Sequence, residues 1–85
     1  MTESEASTVC SLAKQAAEKR WEEDDMSNAD AINWFVRQLG ANRIPRVGWK
    51  GDLSTLSKEM DRWASKYDWS WIIDIVSNHM DSYQW

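Results

Sequence analysis

The sequence predicts an all-α protein, a small three- to four-helix bundle with a long basic loop between its second and third helices. Three observations carry that expectation. Apolar residues recur at the i, i+3, i+4, i+7 spacing of a helical face in four separate stretches. Two of those stretches are preceded by capping-box signatures, in which a hydroxyl and a carboxylate three residues apart satisfy orphaned backbone donors. All three Gly and the single Pro fall within residues 40–51, so the helix-breaking residues mark one long connection. With 85 residues, the chain has room for a single domain over 1–85, because a chain this short buries only roughly 60% of its unfolded surface. Seven Trp, two Tyr and one Phe supply the large side chains such a core needs, each able to bury about 150 to 250 Å².

The first helix is expected over about 4–21, opened by the box Thr2-Glu-Ser-Glu5. Its stripe of Ala6, Val9, Cys10, Ala13, Ala16 and Ala17 is regular but thin, which predicts the most weakly docked element. Glu22-Glu23-Asp24-Asp25 follows, where a helix C-terminus favours cations, so the helix should end there. Ser27-Asn-Ala-Asp30 opens a second helix over 28–39 with the stripe Ile32, Phe35, Val36 and Leu39. Gly40 is expected in the left-handed position just past its end. Trp34 falls roughly 180° from that stripe at about 100° per residue.

Residues 40–51 read as loop, with Pro45 pushing Ile44 towards an extended backbone. A connection of about a dozen residues is longer than most and tends to be functional or mobile. A third helix over 52–67, capped by Asp52, aligns Leu53, Leu56, Met60, Trp63, Ala64 and Tyr67. A fourth over 69–83, capped by Asp68, is read as the central helix. It aligns Trp69, Ile72, Ile73, Val76, Met80 and Tyr83, with Trp71 and Ile75 widening its apolar arc and Asp74, Ser77, Asn78 and Asp81 on its wet face.

Fourteen acids against ten bases give a net charge of −4, which disfavours non-specific attraction to nucleic acid or anionic membrane. The charge is uneven. Residues 1–30 hold eight acids and three bases, residues 31–51 four bases and no acid, and residues 52–85 six acids and three bases. The single Cys cannot form an internal disulfide, no apolar run reaches the roughly 20 residues of a membrane span, and the acidic N-terminus lacks the order of a signal peptide. A reducing, cytoplasmic location is expected, with no membrane association, and Met1 is expected to be a natural start.

Catalytic signatures are not found. The lone His79 has no Ser-His-Asp or Cys-His companion pattern, Cys10 sits among alanines as a small core residue, and no ligand spacing suits zinc or calcium. No enzyme activity, metal or other cofactor is expected, and His79 reads as structural or interfacial. Binding is the better expectation. Arg37, Arg43, Arg46 and Lys50 form a basic island with Trp49 inside it, and Lys58, Arg62 and Lys66 recur every fourth residue on the third helix. Trp and Arg dominate binding hot spots, so Trp34, Trp49 and Trp71, poorly explained by one core, join Arg37, Arg43, Arg46 and Lys50 as partner-binding candidates. The competing reading buries Trp34 under the first helix and Trp49 on the third. Trp63 and Trp69 belong on core stripes, whereas Trp21 and Trp85, near helix ends, suit either role.

Phe35, the Arg46-Val-Gly-Trp-Lys-Gly-Asp52 loop, Leu56, Met60, Tyr67 and Ile72-Ile-Asp-Ile together resemble helical segments of phage and plasmid replication-associated proteins over residues 35–76. The resemblance implies an origin in a mobile element, an association with DNA metabolism and a host-cell cytoplasmic location. The leading expectation is a non-enzymatic phage-type accessory protein, an inhibitor or adaptor, that binds a protein of replication, transcription or defence machinery. The second is direct DNA or RNA binding by the basic loop with Lys58, Arg62 and Lys66. The third is an acidic mimic of nucleic acid, with Glu22 to Asp25 standing in for phosphates. A homo-oligomer is compatible with each.

Overall fold

The computed structural model describes residues 2–45 and 69–79. Helix α1 spans Glu3–Glu22, α2 spans Asn28–Ala41 and α3 spans Ser70–Asn78, and no strand occurs among the described residues. The predicted helix over 52–67, the loop beyond residue 45 and the predicted end of the fourth helix beyond residue 79 lie outside the described residues.

Both capping boxes form. Thr2 Oγ1 accepts from the Glu5 amide at 3.1 Å while the Thr2 amide donates to Glu5 Oε1 at 2.7 Å. Ser27 and Asp30 repeat the exchange, at 3.1 Å in each direction. These contacts span three residues, so local sequence suffices to specify them. Helix α3 departs from expectation, because its N-cap position is Trp69 rather than Asp68, with no side-chain capping bond, and His79 closes it.

Each of the three helices packs against the other two, and their buried faces merge into one core centred on Val9, Phe35, Leu39, Ile72, Ile73 and Val76. The expectation that the first helix docks most weakly is overturned. Helix α1 contributes seven buried residues, against four each from α2 and α3. Leu12, absent from the predicted stripe, is among them. Alanines at 6, 13 and 16 are wholly buried, and small side chains let helices approach closely, since interaxial distance is set by the residues at the contact. A thin face therefore docks by proximity instead of by bulk.

The end of α2 corrects a second expectation. Gly40 does not take the left-handed position; the helix continues to Ala41, and Arg43 has φ 56°. The Arg43 amide donates to the Gly40 carbonyl and the Ile44 amide to the Leu39 carbonyl, both at 3.0 Å, the bond pair of a Schellman motif with Arg43 at C′. Such a motif is sealed by an apolar contact between its outer residue and the third-last helical one. Closure at Gly40 would put Ala41 in that outer place, whereas closure at Arg43 puts Ile44 there, buried in the same cluster as Leu39. Burying Ile44 is worth about 1.5–3 kcal/mol, enough to offset a Gly inside the helix at roughly 1 kcal/mol and most of a left-handed Arg at about 1–2 kcal/mol.

A third correction concerns α3. Ile72, Ile73 and Val76 are buried as expected, but Ser77 is buried too, at 7% exposure, while Ile75 is 36% exposed. At about 100° per residue, Ser77 stands only about 40° from Ile73, whereas Ile75 stands roughly 100° from Val76. The buried face extends to Ser77 and not to Ile75, while Trp71 is half-buried against the core. The Ser77 Oγ is buried without a hydrogen-bond partner among the described residues. Leaving a buried hydroxyl unsatisfied costs about 1–3 kcal/mol, so Ser77→Ala should stabilise the fold by about 1 kcal/mol. Thermal denaturation followed by circular dichroism should register it as a melting point about 4–8 °C higher.

Candidate interaction surface

Two regions outside the core combine exposed charged or aromatic side chains among the described residues. The first lies at the C-terminal half of α2. Arg37 and Arg43 are exposed there, and neither makes an ion pair among the described residues. Arg43 is held on a rigid corner, because the residue after it, Ile44, is anchored in the core. Asn42 adds to that rigidity by donating its side-chain amide to the Gln38 carbonyl at 2.8 Å.

Trp34 and Trp71, read from sequence as interface rings, are half-buried and pack against the core. Trp34 is also covered from one side, since the Lys19 Nζ of α1 lies 5.4 Å from its ring centroid, within cation–π range. The competing expectation for Trp34, that the first helix covers it, describes this arrangement. Trp69 lies in the core at 4% exposure, as its stripe predicts. Arg46, Trp49, Lys50, Lys58, Arg62 and Lys66 lie outside the described residues.

The second region is the corner between α1 and α2. Ala17 is the last buried residue of α1, and the helix overhangs the core for a further turn. Trp21 stands on that overhang at 68% exposure, followed by the exposed Glu22, Glu23, Asp24 and Asp25. The chain reverses through a turn closed by the Met26 amide on the Glu23 carbonyl at 3.1 Å. Arg20 braces it, its Nε donating to Asn28 Oδ1 at 3.0 Å. Sequence reasoning left the role of Trp21 open. Its residue number gives no hint of where the core stops, and only the acidic run after it pointed to solvent.

For chemistry the described residues offer little. No group of three His, Cys, Asp or Glu comes together among them in a way that could hold a metal ion. Cys10 is buried, and His79 is exposed at the end of α3. No described helix is long and apolar enough to cross a membrane. The fold and its surface thus define a small helical protein with a basic helix end and an acidic, Trp-bearing corner. No known protein family, curated protein or solved structure matches the chain.

Proposed function

We propose that this is a non-enzymatic accessory protein of phage type that binds a protein of replication, transcription or defence machinery, using the C-terminal end of α2 and the basic loop after it. The observation that carries this reading is Arg43. Its backbone is left-handed at φ 56°, a conformation glycine adopts without the clash that a Cβ brings, while its side chain is exposed. An exposed arginine at a left-handed position that glycine would occupy with less strain supports a use for the guanidinium. Arg37, also exposed and in the C-terminal half of α2, extends the surface, and Arg46, Trp49 and Lys50 continue it in sequence. Arg is among the residues that dominate protein interfaces.

Two measurements test the reading. Arg43→Gly should stabilise the isolated protein by about 0.5–1 kcal/mol, the relief of left-handed strain less the unfolded-state entropy a glycine adds. The same substitution, and more strongly the pair Arg37→Ala and Arg43→Ala, should remove a protein captured by the wild type from host lysate. Capture that survives nuclease treatment and disappears with the two arginines supports a protein partner. An unchanged capture profile from a folded double variant overturns it. Nuclease-sensitive capture whose affinity falls linearly with log salt would transfer the function to nucleic-acid binding.

A further inference from the structure

The basic end of α2 carries charge that the fold itself does not use. Near a helix C-terminus an arginine ordinarily has a structural role, donating to the last carbonyls, which lack partners within the helix. Here other groups fill that role. The Gln38 carbonyl accepts from the Asn42 backbone amide at 3.0 Å and from the Asn42 side-chain amide at 2.8 Å. The Leu39 carbonyl accepts from the Ile44 amide and the Gly40 carbonyl from the Arg43 amide, both at 3.0 Å. Backbone groups and Asn42 thus close the helix, while the exposed Arg43 guanidinium makes no hydrogen bond or ion pair among the described residues.

Arg37 has no ion pair among the described residues either. It stands about one turn before Ala41, the last residue of α2, on the exposed stripe of Asn33, Arg37 and Ala41. The acid of α2, Asp30, lies about two turns earlier, where its carboxylate accepts from the Ser27 amide at 3.1 Å. The helix dipole offsets about half a charge at this end, which leaves most of two unit charges for a ligand. A guanidinium binds carboxylate and phosphate alike, so the rest of the surface decides between them. Fourteen acids against ten bases disfavour a long polyanion, which meets the field of the whole molecule, whereas a short acidic segment meets this end alone. Sites for single-stranded nucleic acid also offer open rings on which bases stack. Trp34, the ring of the same helix, packs on the core and has the Lys19 Nζ 5.4 Å from its centroid.

Resting on the reading of this helix end as a protein-binding surface, we infer that Arg37 and Arg43 receive an Asp- or Glu-rich segment of the partner. Each guanidinium pairs with a carboxylate of that segment, by two parallel N–H bonds where the approach is planar. The left-handed corner serves the pairing. Ile44 is buried in the core and Asn42 is bonded to Gln38, so the backbone at Arg43 is already fixed and loses less freedom on binding than a free loop would.

Isothermal titration of the full chain with a short Glu-rich synthetic peptide tests this, with its Gln counterpart and a single-stranded oligonucleotide of equal charge as controls. The Glu peptide should bind, with affinity falling as salt rises, and the Gln peptide should not. Arg37→Ala and Arg43→Gly should each weaken binding roughly tenfold, the scale of one charge-assisted pair, and together abolish it. Glycine suits the left-handed backbone, so Arg43→Gly removes the side chain without straining the fold, and unchanged circular dichroism will confirm that each variant folds. Arg20→Gln removes a cation bonded to Asn28, the first residue of α2, and should leave the affinity unchanged. An equal loss from Arg20→Gln, or no loss from the double variant, would reduce the effect to bulk charge and overturn the inference. Absence of peptide binding overturns it too. If arginine-dependent, nuclease-resistant capture from lysate then persists, the protein-binding reading stands without its acidic partner; if that capture is also absent, both fall. Tighter binding of the oligonucleotide would move the site to nucleic acid and overturn both. Light scattering that shows a wild-type dimer dissolved by the double variant, without peptide binding, would assign the surface to a second copy and overturn the inference as well.

Discussion

Phe35→Ala should cost about 3–5 kcal/mol, the largest loss expected from any single truncation in the described core. Phe35 is wholly buried on α2, where its ring belongs to the cluster shared with α1 and α3. Its removal forfeits the transfer energy of an aromatic ring and leaves a cavity that three mutually packed helices cannot close without shifting. Domains of this kind have only about 5–15 kcal/mol of total stability, so the variant should melt at least about 12 °C lower, with a matching fall in urea midpoint. A loss below about 1 kcal/mol would mean that the three helices do not share one core.

Ala13→Leu is the second large effect, and it separates two accounts of α1. If the alanine face were loosely docked, as its small side chains suggest, added methylenes would fill space and stabilise the protein. In the structure Ala13 has no exposed surface and lies in the same cluster as Phe35 and Ile72. Over-packing there should cost about 1–3 kcal/mol or more, detectable by chemical denaturation. Gln15→Leu, at an exposed position of the same helix, is the control and should stay within about 0.5 kcal/mol.

Much of the fold was legible because the relevant physics is local. Thr2 with Glu5 and Ser27 with Asp30 are read directly from spacing, and Phe35, Val36 and Leu39 of α2 with Ile72, Ile73 and Val76 of α3 needed only the helical period. The interaction surface was less legible. Arg37 and Arg43 are exposed as expected, but Trp34 and Trp71 proved half-buried, and Trp21 became the most exposed described ring. Helical position gives a residue's direction on its own helix; it says nothing of whether a neighbour such as Lys19 arrives to cover it.

The sequence by itself determined that the chain is helical in its described parts, where α1 and α2 begin, and that Trp69, Phe35, Ile72 and Ile73 turn inward, since hydrogen bonds within four residues and a fixed rotation per residue settle those points. Tertiary structure decided the rest: that Ser77 and not Ile75 faces the core, that Arg43 and not Gly40 closes α2, and that α1 runs on past Ala17, its last buried residue, to leave Trp21 68% exposed. Each depends on how one helix is rotated and slid against another. Those choices are set by the packing of Ala6, Ala13, Leu39 and Ile44 together, a sum over distant residues that no single stretch of sequence contains.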